Sequence, residues 1–500
     1  MDMFTVKDLH QTQKDCITWM LGRQSGCVAS ECGSGKTVMG LTAFLIYRRK
    51  TGIRLPMLAV SVPKGVKETW SVEHKRWQHL KDLRVATLAG TPARREKILE
   101  DGNFDVLCVS YGLLNWLAEL KKIGFPNTNF SFIFADEGSC LKGHASKWRV
   151  ALSILSIGAN ARFIATATPA PHDAMDYWGL VKYLDDGRCL NAKTISQFRS
   201  IYCQAFPIPN TSGVFYRIKS RETAREIEKK VAPFFYSFET PEVPIETVDV
   251  LCSLSPESMA LYKRIEKEQC LNSIADKETG KPVMDKSLGA MDLANKLAQV
   301  ANGFVYVDKV LKLSPETIAE LERTEDEKEV RQIMKKNSVR ETINLFPDRI
   351  ELCKKMVKAV RTKHPDSSIA VAYLFTHDLK VLQEAFPEGV SDTEENIAAR
   401  WNKGEIPLLF LQYARCSKSL NLQQSGYVLI MYTSTFNWEH DYQIARRFAR
   451  QGQKAPKVYV YRLHLKGTVD DLKSKVLDKR GNSHVRFQKD ILRYATIAAA

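Results

Sequence analysis

Short apolar runs separated by helix-period segments form the first half of the chain. Four runs consist mainly of aliphatic, β-branched and aromatic residues and end at polar or turn residues, which predicts buried strands at 57–62, 106–110, 132–135 and 162–166. The segment at 66–77 lies between two of them and has helical periodicity. Strands that are apolar throughout and spaced by helices indicate an α/β fold with a parallel sheet covered on both faces.

The same alternation returns near the other end of the chain. Apolar runs predict a second set of strands at 369–375, 408–412, 427–432 and 457–461. The fold class is therefore α/β, with two parallel-sheet lobes.

An acidic, proline-interrupted stretch and a charge-rich region separate the two sets of strands. Pro241 and Pro244 predict a linker, and the charged, helix-like segment at 320–342 is typical of a solvated helix in a protrusion. The predicted organisation is a first lobe at 1–237, a linker at 238–250, a helical protrusion at 251–350, a second lobe at 351–480 and a carboxyl-terminal extension at 481–500.

The net charge indicates the class of partner. Lysine and arginine number 73 against 57 aspartates and glutamates, which gives a formal charge of +16, while 44% of the residues are hydrophobic, as in a folded protein. A chain this basic more often binds a polyanion, and nucleic acid is expected as the partner ahead of a membrane surface.

Cysteine usage and the amino terminus point to a reducing compartment. The eleven cysteines are scattered singly, and Cys27 and Cys32 are the closest pair, so the spacing disfavours a zinc site and predicts free, mostly buried thiols. The first residues lack an apolar signal core, and the sequence has no apolar run long enough for a membrane span. A cytoplasmic location is expected.

The segment ASECGSGKT at 29–37 predicts a phosphate-binding loop between a strand at 26–29 and a helix at 38–49. Lys36 would reach the β- and γ-phosphates of a nucleotide, and the Thr37 hydroxyl would ligate Mg²⁺. Ser30 stands where the usual pattern has its first glycine, which is tolerable if φ stays negative there. The alternative is a surface turn before a core helix.

Two further groups of residues complete a possible hydrolytic site. Asp136 and Glu137 follow the strand at 132–135, where Asp136 would hold Mg²⁺ through water and Glu137 would orient and deprotonate the attacking water. In QIARRFARQGQ at 443–453, Arg447 and Arg450 are three apart on one face of a predicted helix and suit the charge of a transferring γ-phosphoryl group. The alternative for this helix is a basic surface or a nucleic-acid contact.

The order of these motifs resembles the Swi/Snf family of ATP-driven DNA translocases in helicase superfamily two. LHQTQKDCITWML at 9–21 is similar to the family's adenine-recognising segment, ADEGSCLKGHASKW to its D-E-x-x-x-L-K segment, and IATATP at 164–169 to its coupling motif. SLNLQQSGYVLI and QIARRFARQGQ resemble motifs of the second lobe. The resemblance covers about 9–470 and implies two RecA-like lobes with a nucleotide cleft between them, of the compact bacterial or phage type.

The resemblance assigns roles residue by residue. It implies coupling roles for Thr166, Thr168 and Gln443, and contacts to the DNA backbone for Lys64, Ser110, Tyr111 and Asn421, although Tyr111 is as well explained by an aromatic packed at a strand end. The implied ATP-binding residues are Gln13, Ser30, Glu31, Cys32, Gly33, Ser34, Gly35, Lys36 and Thr37.

Three motifs depart from the family pattern. Ser139 replaces a histidine, Ala167 replaces the central glycine of the coupling motif, and Cys416, Ser417 and Ser419 replace glycines before L-N-L-Q. No metal ligand, phosphate lysine or arginine is lost, so ATP hydrolysis is expected.

The function expected from these observations is a DNA-dependent ATPase that moves along double-stranded DNA, with ATP and Mg²⁺, in a bacterial or phage-infected host cytoplasm. One alternative is a helicase that separates RNA or DNA strands. The other is an ATP-gated nucleic-acid clamp that does not move.

Overall fold

The computed structural model describes residues 3–31, 33–170, 174–207, 213–238, 243–268, 290–310, 338–416, 420–450, 452–475 and 477–478. Within these ranges the chain forms two α/β lobes, each built on a parallel sheet, as the sequence predicts. No helix in the described ranges is long and apolar enough to cross a membrane.

The first lobe contains a parallel sheet with the strand order β3-β4-β2-β5-β6-β1-β9 and a separate antiparallel hairpin, β7–β8. Its strands are β1 Ser25–Ala29, β2 Met57–Ser61, β3 Val85–Thr87, β4 Val106–Ser110, β5 Phe132–Asp136, β6 Ala161–Thr166, β7 Cys203–Pro207, β8 Val214–Ile218 and β9 Phe235–Tyr236. Its helices are α1 Gln11–Leu21, α2 Lys36–Thr51, α3 Pro63–Gly65, α4 Pro92–Asp101, α5 Leu114–Lys122, α6 Lys147–Leu155, α7 Asp176–Asp185, α8 Ile195–Tyr202 and α9 Arg221–Val231.

Both faces of this sheet are buried, which explains why its strands are apolar throughout. In β2, Leu58 and Val60 pack into one hydrophobic cluster, while Met57 and Ala59 pack into another on the opposite face. All five strands predicted in this half are present, including β1, which precedes the predicted phosphate loop.

The second lobe contains a parallel sheet with the order β10-β17-β16-β13-β15-β14, and an antiparallel pair, β11–β12, lies outside it. The strands are β10 Ile245–Cys252, β11 Phe304–Val310, β12 Ser338–Asn344, β13 Ile369–Tyr373, β14 Val390–Ser391, β15 Leu408–Gln412, β16 Val428–Met431 and β17 Val458–Leu465. The helices are α10 Pro256–Glu268, α11 Ala290–Ala301, α12 Asp348–Lys363, α13 Thr376–Ala385, α14 Ile397–Asn402, α15 Tyr413–Cys416 and α16 Trp438–Ala445.

The structure differs from the predicted domain boundaries on both sides of residue 250. The second half of the predicted linker is strand β10, which pairs along its full length with β17, because Thr247, Val248 and Val250 favour an extended chain once Pro244 is passed. In the predicted helical protrusion, residues 338–342 belong to β12, which pairs with β11. Most of the charged segment at 320–342, and the extension at 481–500, lie outside the described residues.

Two segments that were predicted to be α-helices also differ from the prediction: one forms other kinds of helical turn, and in the other the helix ends early. The segment at 66–77 is a π-helical turn, Val66–Trp70, followed by a 3-10 turn, Glu73–Arg76. The segment at 443–453 is helical only to Ala445, where α16 ends, and the arginines that follow lie in consecutive turns. The backbone N–H of Leu422 donates to the carbonyl of Arg447, which holds these turns against a neighbouring loop.

The cysteines agree with the expectation of free thiols. Of the eight that the structure describes fully, all are free and five are buried: Cys16, Cys27, Cys108, Cys203 and Cys353. Burial raises the pKa of the Cys108 thiol to about 12, which keeps it protonated and unreactive. No cluster of three potential metal-binding side chains occurs among the described residues.

Candidate functional site

The predicted phosphate loop joins β1 to the start of α2. Gly33 and Gly35 have φ values of 90° and 84°, a region that favours glycine, and Gly35 is the N-cap of α2. The loop thus directs the first backbone N–H groups of a sixteen-residue helix toward a cavity. Unpaired N–H groups and the helix dipole at such an end attract an anion.

Polar bonds inside the loop fix its shape. Lys36 Nζ donates to the carbonyls of Ser30 and Glu31, at 3.1 and 3.0 Å, and the hydroxyls of Ser30 and Ser34 are 2.8 Å apart. Ser30 is not among the described non-glycine residues with positive φ, so the condition for replacing the first glycine is met. Cys32 lies outside the described residues.

Gln13 supports the loop from α1. Its Nε2 donates to the carbonyl of Ser34 at 2.9 Å. A Cβ atom added at Gly35 would lie 2.4 Å from that same nitrogen, so the close approach of Gln13 requires glycine. Gln13 therefore fixes the loop at the turn that precedes Lys36.

The acidic pair lies at the carboxyl end of β5, beside the loop. Asp136 Oδ1 accepts from the backbone N–H of Glu137 at 3.0 Å, and Oδ2 accepts from Trp70 Nε1 at 3.2 Å and from the Ser61 hydroxyl at 3.4 Å. Glu137 is buried, has a φ of 54° and lines the same cavity. A non-glycine residue in this conformation indicates local backbone strain, and such strain is frequent at functional sites.

The oxygen atoms available here fit Mg²⁺. The side chains of Thr37 and Asp136 both line the cavity, and they supply one hydroxyl and one carboxylate. Mg²⁺ prefers hard oxygen ligands and is commonly bound through one or two protein groups together with water and phosphate. The small number of carboxylates is therefore what a nucleotide-bound Mg²⁺ requires.

Two arginines of the second lobe reach this cavity from the opposite side. Arg447 and Arg450 are 3% and 8% exposed and line the cavity, whose volume is about 190 Å³. Arg450 packs on the phosphate loop, since a Cβ at Gly33 would lie 3.3 Å from Arg450 Cδ. The predicted helix was wrong for these residues, yet the turns bring both guanidinium groups to the cavity.

The neighbouring Arg446 lies elsewhere. Its guanidinium is 5.3 Å from the ring centre of Tyr442, and its side chain lines a separate cavity of about 630 Å³ together with Asp441 and Arg462. Arg446 and Arg450 therefore differ in surroundings although they are four residues apart.

Two of the three predicted coupling residues meet at one carboxylate of the second lobe. Thr168 Oγ1 donates to Glu439 Oε1 at 2.7 Å, and Gln443 Nε2 donates to the same oxygen at 3.1 Å. Lys142 Nζ donates to Glu439 Oε2 at 3.4 Å. Thr166 lies at the end of β6, where its hydroxyl accepts from the backbone N–H of Thr168.

The predicted DNA contacts fall into different surroundings. Tyr111 is 3% exposed, and its hydroxyl donates to the carbonyl of Asp136 at 2.8 Å, so its side chain supports the acidic strand end instead of facing a ligand. Asn421 lines the same cavity as Arg447 and accepts from Arg450 Nη1. Ser110 is partly exposed at the end of β4, and the side chain of Lys64 lies outside what the structure describes.

The sequence reasoning assigned no role to four residues at the site. Trp70 and Ser61 hold Asp136, while Glu439 and Lys142 connect the lobes. Glu439 precedes Gln443 by four positions, one helical turn, and this spacing was the available signal. Trp70 ends a P-K-x-x-x-x-x-W pattern at 63–70 that is similar to a motif of the family, but its bond to Asp136 joins positions 66 apart and could not be read from that pattern.

Comparison with known proteins gives a consistent assignment. The SNF2-related domain family matches residues 12–302. Protein p41 of Acyrthosiphon pisum secondary endosymbiont phage 1 is 26% identical over 483 residues, which are 93% of this chain and 94% of that protein. The DNA repair and recombination protein RAD54B of Homo sapiens is 22% identical over 510 residues, 94% of this chain and 54% of that protein.

This chain therefore spans nearly all of the phage protein and about half the length of RAD54B. Among solved structures, the Sulfolobus solfataricus SWI2/SNF2 ATPase core in complex with dsDNA is similar over 96% of this chain and 92% of that chain, at 18% identity and a TM-score of 0.41.

Proposed function

The chain belongs to the SNF2-related family, and from this premise we propose that it is a DNA-dependent ATPase that couples ATP hydrolysis to translocation along double-stranded DNA. The observation that carries the proposal is the cavity between the lobes. It is lined by the phosphate loop, by the acidic pair and by two arginines more than three hundred residues further along the chain.

Each group has a role that its position supports. Lys36 and the start of α2 bind the phosphates of ATP, for which Lys36 exchanges its bonds to the loop carbonyls. Thr37 and Asp136 would hold Mg²⁺, which when bound neutralises phosphate charge. Glu137 orients and deprotonates the attacking water, and Arg447 and Arg450 stabilise the charge that develops on the transferring group.

Two observations support DNA as the partner: the net charge of the chain and its sequence similarity to RAD54B. The net charge of +16 favours a polyanion that is bound without regard to sequence. RAD54B, which is similar over most of this chain, is a DNA repair and recombination protein. We further propose a cytoplasmic location in a bacterial or phage-infected host cell.

The test is steady-state ATP hydrolysis by the purified chain, alone and with duplex DNA, single-stranded DNA or RNA. We expect duplex DNA to stimulate hydrolysis most. Displacement of a third strand from a triplex then reports movement. Stimulation mainly by RNA or single strands favours a strand-separating helicase, and stimulation by duplex without displacement favours a clamp.

A matched pair of lysine variants on α2 tests the ATPase itself. Lys36→Ala removes the charge that faces the phosphates and should abolish turnover, whereas Lys50→Ala alters an exposed lysine at the other end of the helix and should not. Equal activity of the two folded variants would refute the nucleotide site.

A further inference from the structure

Glu439 joins two loops of the first lobe to one helix of the second. It lies in the first turn of α16, is buried, and accepts hydrogen bonds from Thr168, Lys142 and Gln443. Thr168 and Lys142 belong to the loops that follow β6 and β5. Glu439 is therefore an acceptor that both loops share across the two lobes.

The surroundings stabilise a charged carboxylate at this position. The Lys142 ammonium lies 3.4 Å from Oε2. The start of α16 also favours a negative charge, since Asn437 caps the helix and accepts from the backbone N–H of Glu439. Removing the carboxylate would leave buried donors without their acceptor, which costs more than the contact itself contributes.

One partner of Glu439, Lys142, is packed against a helix of the first lobe. A Cβ added at Gly179 would lie 2.1 Å from the carbonyl oxygen of Lys142, so α7 packs directly on the backbone at Lys142. Lys142 Nζ is also 4.0 Å from Asp176 Oδ2 at the start of α7. A shift of one lobe relative to the other therefore breaks the contact instead of being absorbed by a flexible loop.

In the sequence, the residues that bond to Glu439 lie close to the proposed general base, Glu137, on one side and to Arg447 on the other. Lys142 directly follows the 3-10 turn Gly138–Leu141, whose N-cap is Glu137. On the other side, Gln443 lies four residues before Arg447, just before α16 ends at Ala445. The position of Glu439 thus depends on both the loop that carries Glu137 and the turn that carries the arginines.

We propose that Glu439 is a positioning residue that aligns Arg447 and Arg450 with the γ-phosphate when the lobes close. The proposal rests on the ATPase function above and adds to it a residue that does not line the cavity between the lobes. It predicts that the contact contributes mainly to the turnover step and little to the binding of ATP.

The first experiment measures kcat and KM for ATP with saturating duplex DNA. Glu439→Ala should lower kcat by about ten- to a hundredfold, as expected for losing buried hydrogen bonds to a charged group. The KM for ATP should change by less than about threefold, because the phosphate loop is untouched. Glu395→Ala, an exposed acid of the same lobe, is the matched control and should resemble the wild type.

A double-mutant cycle distinguishes positioning from a general loss of stability. Thr168→Val removes the donor hydroxyl at nearly constant shape and should lower kcat by about tenfold. In the double variant the loss should be no larger than that of Glu439→Ala alone, because one contact has been removed twice. Additive losses would overturn the proposal.

Graded substitution gives a second readout. Glu439→Gln keeps an oxygen acceptor for Thr168 but loses the charge that faces Lys142, so its kcat should lie between those of the wild type and Glu439→Ala. The proposal is contradicted if Glu439→Gln is as slow as Glu439→Ala and Glu439→Ala also unfolds at a lower temperature than the wild type. Glu439 would then contribute to stability alone.

Small-angle X-ray scattering with a non-hydrolysable ATP analogue tests the lobe arrangement directly. The wild type should be more compact than Glu439→Ala, although both bind the analogue. A wild type without ATPase activity would refute the proposed function, whereas an active wild type that Glu439→Ala matches in kcat and compactness would refute only the role of Glu439.

Discussion

The indole N–H of Trp70 donates a hydrogen bond of 3.2 Å to Oδ2 of Asp136, the carboxylate at the end of β5. Trp70 is fully buried at the end of a π-helical turn, and its ring packs on Phe134 with the ring centres 5.4 Å apart. The orientation of a candidate magnesium ligand therefore depends on an aromatic side chain that does not line the cavity.

Trp70→Phe should raise the Mg²⁺ concentration needed for half-maximal ATP hydrolysis. The phenyl ring keeps most of the packing but cannot donate, so Asp136 loses one of the bonds that orient it. Loss of an outer partner of this kind typically reduces metal affinity by about ten- to a hundredfold. Titration of ATPase activity with Mg²⁺ measures the shift. Trp116→Phe, at a partly buried position of the same lobe, should show no shift.

Glu137→Gln should bind ATP nearly as tightly as the wild type and fail to hydrolyse it. The amide keeps the shape of the side chain but cannot accept a proton from water, and loss of a general base costs about 10²- to 10⁴-fold in rate. Equilibrium binding of a fluorescent ATP analogue and single-turnover hydrolysis separate the two effects. If affinity collapses too, Glu137 is structural. Glu100→Gln, on the exposed surface, is the control.

Arg450→Ala should lower turnover by about 10³-fold or more, as removal of an arginine finger does, while ATP affinity changes far less. The matched control is Arg446→Ala, because Arg446 packs on Tyr442 and lines a different cavity. Steady-state ATPase with and without DNA, at low and high salt, measures both. A basic surface helix that only touches DNA would instead give similar, salt-sensitive losses of DNA affinity for the two variants.

Duplex DNA affinity should fall steeply with salt and depend little on sequence. Each phosphate that the protein neutralises contributes about −0.9 to the slope of log K against log salt concentration. Fluorescence anisotropy with two unrelated duplexes, over a range of salt concentrations, gives the slope. A flat salt dependence, or a strong preference for one duplex, would point to a different kind of binder.

The second lobe should lose stability as the pH rises toward neutrality. Burial raises the pKa of the Asp441 carboxyl to about 7, against the opposing effects of Arg462, the Thr435 backbone and Lys473. The ordinary pKa is 3.8, so between these two values the folded chain binds a proton that the unfolded chain does not. Stability is therefore full below the ordinary value, declines through the window and reaches its minimum above about pH 7.

The size of this pH effect on stability follows from the difference in proton binding at Asp441 between the folded and unfolded chains. The free energy of unfolding should fall by up to about 1.4 kcal/mol per pH unit across the window. Asp441→Asn should flatten the dependence relative to the wild type, and Asp366→Asn, an exposed residue, should not. Thermal melts at several pH values test it, and parallel profiles for the wild type and Asp441→Asn would contradict it.

The strands and the phosphate loop could be predicted because their signals are local. A continuous apolar run such as Val106–Ser110 needs only its own sequence and two covered faces to become a strand. Likewise, Gly33, Gly35 and Lys36 act within one turn of backbone. The two parallel-sheet lobes and the approximate location of the cavity were therefore accessible from the sequence.

Features that depend on distant partners could not be predicted. Nothing near Ala445 ends α16; the turns that follow are held because Arg447 bonds to Leu420 and Leu422 on another loop. Glu439 lies 271 positions from Thr168, so only the packing of the lobes reveals their bond. For Tyr111 the sequence left two interpretations open, a DNA contact and an aromatic packed at a strand end, and its burial favours the second, in which its hydroxyl supports Asp136.

Because β10 belongs to the second sheet, the chain that joins the lobes here is short. Only residues 237–244 separate the end of β9 from the start of β10, and even a fully extended chain of that length spans at most about 30 Å. Each lobe is thus tethered to the other, and its effective concentration near the other lobe is on the order of millimolar. Contact between the lobes is therefore an intramolecular event, so diluting the protein leaves its rate of formation unchanged.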